Sequence, residues 1–152
     1  MNIDLAPCYL DVDLFLRMAK EYVETLAEYD HTIRWDEPTW REGAWNSQFF
    51  IEDRKIQGFA LTEHVRFEMF PDALYIGEFF VDPEARRKHI GFEAVKAMTK
   101  DWDGDVFLYI LDQNKTAHFF WASVADKLGW KRIQRPEIRE EKGCELWVFQ
   151  TK

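Results

Sequence analysis

The sequence predicts an α/β protein: a mixed sheet of about seven strands with about four helices. Three observations predict it. Stretches with helical periodicity are separated by apolar runs of strand length. The later strands are joined through helices, as crossover connections require. Turn and stop residues fall between the elements, and no low-complexity segment, repeat or Gly/Ser linker interrupts them, so the chain reads as a single domain, 1–152.

The elements follow in order. "NIDLAP" (Asn2–Pro7) alternates polar and apolar residues and predicts a first strand. From Asp11 to Tyr29 the pattern turns helical, with Leu14, Met18, Tyr22 and Leu26 recurring every four residues and Asp11 or Asp13 able to cap the start. Pro38 suits the first turn of a short helix that ends near Gly43. Two strands follow, about Gln48–Glu52 and Ile56–Glu68, joined by the polar turn Asp53-Arg54-Lys55. Asp72–Val81 is mostly apolar, as a central strand should be, and Pro83 ends it. A helix from about His89 to Lys100 places Ile90, Ala94, Ala97 and Met98 on one side, and Gly104–Asp112 is another buried strand. The helix "TAHFFWASVADKLG" aligns Ala117, Phe120, Trp121, Val124 and Leu128, with Gly129 as its stop. Trp130–Gln134 and Cys144–Gln150 are the last strands, giving the order β-α-α-β-β-β-α-β-α-β-β.

Composition narrows the class. Hydrophobic residues are 47 %, aromatic 16 % and charged 32 %, a globular profile whose thirteen Phe and seven Trp suit a core built on large rings. The net charge of −8 argues against general nucleic-acid binding and favours cationic partners through long-range attraction. Cys8 and Cys144 form no metal-ligand pattern, so no metal is expected, and a reduced setting is. The N-terminus carries acids where a signal peptide carries bases, and no apolar run reaches the ~20 residues that span a bilayer. A cytoplasmic location, away from the membrane, is the expectation.

The stretch "FFVDPEARRKHIGFEAV" (Phe79–Val95) carries the chemistry. A strand breaks at Pro83, runs through Arg86, Arg87 and Lys88, and becomes a helix at Ile90-Gly91. A helix start offers unpaired N–H groups and partial positive charge, which together bind anions. Arg holds phosphate oxygens in pairs and Lys acts as a point charge. Gly91 admits close backbone approach. The residues therefore read as a pyrophosphate cradle, although neither GxxxxGK[ST] nor GxGxxG is present. A basic loop that neutralises Asp82 and Glu84 is the plainer alternative.

"VDPEARRKHIG" resembles the acetyl-CoA-binding motif of the GNAT superfamily of N-acetyltransferases, V-x-P-x-x-[RQ]-x-x-G-x-[GA]. Val81, Pro83, Arg86 and Gly91 match, and His89 stands where the first glycine is usual. "NKTAHFFW" followed by "LGWKRI" is similar to the family's second signature, through Asn114, Ala117, Phe120, Gly129 and Trp130. The resemblance covers nearly the whole chain. It implies a mostly antiparallel sheet splayed between the fourth and fifth strands, with acetyl-CoA as cosubstrate. Phe79, Phe80 and Val81 would pair with the pantetheine arm through their backbone. Amides from Arg87 through Lys88, His89 and Ile90 to Gly91 would cradle the pyrophosphate, with Arg86 beside them, and Asn114, near Ala117, would touch the arm at its exit. Trp121 stands where the family often places a tyrosine as general acid, and the spacing to Gly129 is about one helical turn longer than usual. Another group then protonates the thiolate, or it leaves unassisted.

Acetyl transfer to an amine needs a proton acceptor, a polarised carbonyl and contact between the reactants. Glu78, the acid in an otherwise apolar strand, is the candidate base, and a strand acid paired with a cation or facing solvent is the alternative. Asp36 and Glu37 are the runners-up. With Trp35 and Trp40 they combine acids and indoles in a segment suited to a cationic amine. Glu63 and His64 could also face a cleft. The expected activity is N-acetylation of a primary amine on a small-molecule acceptor. A non-catalytic acyl-CoA sensor and an enzyme acting on a protein or peptide amine are the alternatives, and the negative charge argues against modification of charged tRNA. Dimers are common in the family, so a homodimer is allowed, with no residue fixing its interface.

Overall fold

In the computed structural model, which describes residues 1–68 and 72–152, Asp11 starts the first helix as its position predicts. The side chain of Arg87 also lies outside the described residues. Strand β1 (Asp4–Pro7) runs into a 3₁₀ turn (Cys8–Asp11) and then α1 (Val12–Ala27), where Asp11 accepts the Leu14 amide at 3.1 Å. Helix α2 (Glu37–Gly43) has Pro38 in its first turn, where a missing N–H is tolerated, and passes through a 3₁₀ turn (Ala44–Asn46) into β2. Strands β2 (Ser47–Glu52) and β3 (Lys55–Val65) form a hairpin closed by Asp53 and Arg54 at φ 50° and 64°, the consecutive left-handed pair that a tight hairpin demands.

Strand β4 (Ala73–Val81) leads into a 3₁₀ turn over Pro83–Lys88 and then α3 (Ile90–Thr99). After β5 (Asp105–Leu111) come α4 (Lys115–Leu128), β6 (Lys131–Ile133) and β7 (Cys144–Gln150). The sheet order is β1-β2-β3-β4-β5-β7-β6, and β4 and β5 run parallel. The predicted count and order of elements hold, and most boundaries move by one to three residues. One expectation changes in kind: the basic loop of Arg86–Lys88 is a 3₁₀ turn, started by Pro83 and capped by Asp82, whose carboxylate accepts the Glu84 amide at 3.0 Å. Among the described residues no helix is long and apolar enough to cross a membrane.

The chain gathers into two compact units, residues 1–62 with 78–100, and residues 63–77 with 101–152. In the first, alternation along the strands sorts side chains to two faces. Phe49, Phe59 and Phe80 pack with Phe15, Leu16, Met18 and Ala19 of α1. Their neighbours Phe50, Ala60 and Phe79 pack with Ala94 and Met98 of α3, and Val81 with Ile90. Gly58 lets β3 and β4 approach: a Cβ there would lie 2.1 Å from the Phe80 carbonyl oxygen. In the second unit Ala73, Phe107 and Val148 form one face with Ile138, while Trp121, Val124 and Ala125 are the buried residues of α4. Buried Asp105 is held by Arg135, 2.8 Å from Nε to Oδ2. The parallel ladder joins Ala73, Leu74 and Tyr75 to Asp105, Val106 and Phe107, and β5 pairs with β7 from Asp105↔Gln150 to Leu111↔Cys144.

Candidate active site

The period of two along β4 decides what Glu78 meets. Phe80 faces α1, so Glu78, two residues earlier, faces the same way. On that face stands Tyr22 of α1, packed edge-on to Phe80, whose hydroxyl favours the charged form of the carboxyl. The phenol ring is held edge-on by Trp40 (6.0 Å between centroids), Phe59 (5.8 Å) and Phe80 (5.9 Å). Trp35 stacks on Trp40 at 6.2 Å and 19°. A carboxyl among rings loses hydration that water would give its charged form. Burial accordingly pushes Glu78 up from the ordinary 4.5 to about 7, against a smaller lowering by the Tyr22 hydrogen bond. Near neutral pH this acid is divided between its two protonation states.

The acceptor segment is only partly brought to this place. Trp35 and Trp40 are half-buried and pack against the α1 core. Asp36 and Glu37 are exposed at the start of α2 and have local partners: Asp36 accepts the Thr39 hydroxyl at 2.8 Å, and Glu37 pairs with Arg41 at 3.7 Å. Glu63 is exposed, and His64 pairs with Asp72 at 2.9 Å, edge-on to Trp102 at 4.9 Å, within the second unit.

On the other side of β4, Phe79 and Val81 turn toward α3. The Arg86 side chain folds back onto the strand end: its Nε donates to the Val81 carbonyl at 2.9 Å, and its guanidinium carbon lies 5.7 Å from the Phe80 ring centre. Lys88 and His89 are exposed, while Ile90 and Gly91 are buried. His89 takes φ 61°, the left-handed conformation that glycine adopts without strain. Its backbone places Ile90 and Gly91 in the first turn of α3, whose amides have no intrahelical acceptor.

In the second unit Asn114 caps α4, accepting the Ala117 amide at 3.1 Å through its side chain. Its carbonyl accepts from His118 Nδ1 at 2.7 Å, and His118 Nε2 meets Glu145. Trp121 is 5 % exposed. Among the described residues, no group of three or more His, Cys, Asp and Glu side chains is placed to hold a metal ion.

Tyr22 is the neighbour of the candidate base that sequence reasoning missed. It entered only as one member of the apolar stripe of α1. The available signal was its hydroxyl, since a phenol on a buried face needs a polar partner.

A family model described as "Acetyltransferase (GNAT) family" matches residues 13–125. No curated protein matches the chain significantly in sequence. Solved structures share the fold. A tetramutant of the BH1408 protein from Bacillus halodurans is 20 % identical, with a TM-score of 0.67 over 93 % of this chain and 99 % of that one. An aminoglycoside acetyltransferase, meta-AAC0020, from an uncultured soil metagenomic sample is 17 % identical, with a TM-score of 0.61 over 92 % and 95 %. The diaminobutyrate acetyltransferase EctA from Paenibacillus lautus, in complex with L-2,4-diaminobutyric acid and coenzyme A, is 11 % identical, with a TM-score of 0.67 over 99 % and 95 %.

Proposed function

The chain belongs to the acetyltransferase (GNAT) family, and from that premise we propose that residues 1–152 act as one N-acetyltransferase domain, moving the acetyl group of acetyl-CoA directly to a primary amine of a small, cationic acceptor. The observation that carries this reading is the Glu78 carboxyl, desolvated to a pKa of about 7 beside Tyr22 and the rings of α1 and α2. A base poised near the working pH is the one best able to take a proton from an ammonium group.

Glu78 receives a proton from the acceptor ammonium and frees its lone pair. The acetyl-CoA thioester supplies the electrophile: a C–N bond forms, the C–S bond breaks, and the proton shed by the nitrogen ends on the thiol. Glu78 then returns its proton to water. Trp35 and Trp40 line the acceptor side, offering ring faces to a cationic amine. The fit of the cosubstrate rests on the turn before α3. Amides from Arg87 to Gly91 supply donors to the diphosphate, Gly91 adds no Cβ, and Lys88 supplies exposed charge. Arg86 acts mainly by fixing the end of β4 through the Val81 carbonyl. Phe79, Phe80 and Val81 would present backbone groups to the pantetheine arm, and in the second unit Asn114 and Ala117 remain candidate contacts for it. The small amine acceptors named for two structures of the same fold support this choice of acceptor.

The test is a panel of primary amines, from aminoglycosides and polyamines to amino acids and peptides, read by thiol release from acetyl-CoA. Acetylation of a small cationic amine supports the proposal. Turnover confined to peptide amines would replace the acceptor class. Trp121, which has no useful proton to donate where the family often has tyrosine, favours one second reading, a non-catalytic acyl-CoA sensor. Tight binding of coenzyme A with no amine acetylated would establish that reading instead.

A further inference from the structure

We propose that the outer face of α2, together with the stacked rings of Tyr9 and Trp45, docks a basic, part-apolar segment of a partner protein. This surface lies on the side of α2 turned away from Trp40, and the inference does not depend on the reading of Glu78 or of the turn before α3.

Five large hydrophobic side chains are exposed among the described residues, and three of them fall here: Tyr9 at 46 %, Leu10 at 68 % and Trp45 at 62 %. A single exposed apolar residue is ordinary, but a cluster of them marks a surface that meets another molecule. The local backbone produces the cluster. In the 3₁₀ turn Cys8–Asp11, Cys8 is buried and Tyr9 and Leu10 are exposed; in the turn Ala44–Asn46, Ala44 is buried and Trp45 is exposed. The two outward rings stack, 6.2 Å between centroids and 21° between planes. Stacking holds both rings in place, so little of their freedom is lost on binding. Beside them an open groove of about 650 Å³ runs along α2, lined by Pro38, Thr39, Arg41, Glu42 and Trp45. Pro38, Arg41 and Glu42 stand at i, i+3 and i+4, with Trp45 at i+7, so they share one side. Trp40 points the other way and packs on Tyr22 and Phe59.

Charge selects the occupant. Asp11, Asp13, Asp36, Glu37 and Glu42 are all exposed on these segments. Arg41 is the one cation in residues 9–13 and 36–46, and it is paired with Glu37 at 3.7 Å. Such a surface repels nucleic acid and anionic headgroups. It also repels a second copy of this chain, which would bring the same acids with it. A cationic segment is drawn to it: Lys and Arg lay their apolar stems and charged heads on aromatic rings, and the heads reach neighbouring carboxylates. Length favours a peptide over a small amine. Pro38 to Trp45 spans about 10 Å at ~1.5 Å per residue. The Tyr9 ring lies a further 6.2 Å from that of Trp45. An extended segment of roughly five residues, at ~3.3 Å each, covers this distance. Alternation of cationic and apolar residues along it serves the acids and the rings together.

The probe is a hexapeptide alternating Leu and Arg, acetylated at its N-terminus and carrying a dye at its C-terminus. It has no primary amine, so it cannot be an acetyl acceptor, and its binding is read by fluorescence anisotropy apart from any turnover. The parent should bind it with a Kd below about 100 μM. Replacing Leu by Ser, or Arg by Glu, in the peptide should each weaken binding by about tenfold or more. In the protein, Trp45→Ala should cost about tenfold or more, and Glu42→Gln about threefold with a shallower dependence on salt. Both variants should keep the parent's melting temperature and its kinetics with acetyl-CoA and acceptor. Tyr9→Ala repeats the test should Trp45→Ala not fold. The indole N–H signal of Trp45, assigned in a ¹⁵N spectrum by its loss in Trp45→Phe, should shift as the peptide is added. Absence of binding, equal binding of the Glu peptide, or an unchanged Kd in the folded Trp45 or Tyr9 variants overturns the proposal. Sedimentation showing a parent dimer that Trp45→Ala dissociates overturns it as well, because a second copy then covers the rings.

Discussion

Replacing Glu78 by Gln should make the folded protein more stable and the enzyme slower, with the gain in stability growing with pH. The magnitude comes from the carboxyl itself. Burial, partly offset by the Tyr22 hydrogen bond, holds its folded pKa at about 7 against an ordinary 4.5. Below pH ~4.5 the folded and unfolded chains both carry the proton. Between ~4.5 and ~7 the unfolded chain releases it and the folded chain keeps it, so stability falls as pH rises through that window. Above ~7 the full penalty is present, about 3 kcal/mol. Glu78→Gln removes the titration and preserves the shape and an acceptor for the Tyr22 hydroxyl. Urea unfolding at pH 4.5, 6 and 8 should show parent and variant nearly equal at the first value. At the last the variant should be ahead by about 3 kcal/mol, or roughly 1.5 M in midpoint for a slope of about 2 kcal/mol/M. Turnover at neutral pH should fall by about 10²- to 10⁴-fold, the usual contribution of a general base. A stability difference that stays constant across this range would refute the account of a desolvated carboxyl.

Arg86→Ala should raise the KM for acetyl-CoA more than that for the acceptor and lower stability by about 1 kcal/mol, because the Val81 carbonyl loses its donor at 2.9 Å. Steady-state kinetics with urea titration checks both, and equal effects on the two Michaelis constants would count against the assignment. His89→Gly should raise the melting temperature by a few degrees through relief of about 1 kcal/mol of strain at φ 61°. It should leave the KM for acetyl-CoA within about twofold, since the proposed cradle uses the backbone there; a large change would give the imidazole a role. Gly58→Ala should destabilise by about 3 kcal/mol or more, its Cβ being 2.1 Å from the Phe80 oxygen, and a neutral result in thermal melting would mean that β3 and β4 do not approach so closely.

Most of the fold was legible because its signals are local. Periodicity found α1, α3 and α4, proline and glycine found the ends of β4 and α4, and the alternation of β4 fixed its two faces. The candidate base was legible for the same reason, since one acid in an apolar strand stands out. What escaped depends on which partner each side chain takes, which residue type and spacing do not show. Asp36 and Glu37, read as acceptor ligands, also take local partners, a hydroxyl three residues on and a guanidinium four residues on. Arg86 looked like a phosphate clamp, and its guanidinium is turned to a carbonyl five residues back. Tyr22 looked like core, because a sequence does not show which strand its hydroxyl will meet.

Strand β4 carries two proposed tasks, and a period of two keeps them apart. Glu78 and Phe80 point to α1 and the candidate acceptor side, while Phe79 and Val81 point to α3, whose start supplies the proposed diphosphate donors. A slip of one residue would exchange the faces, sending the acid into the α3 core and a phenylalanine to the place of the base. Two features oppose it. At Gly58 the backbones of β3 and β4 come so close that a residue with a Cβ cannot stand opposite Phe80. Just beyond, the Asp82 amide donates to the Gln57 carbonyl at 2.7 Å and Arg86 closes on Val81. The close approach at Gly58 holds the proposed base and the proposed cosubstrate loop in register, so damage there should reach acceptor and cosubstrate kinetics together, whereas loss of the Glu78 carboxyl should leave the affinity for coenzyme A unchanged.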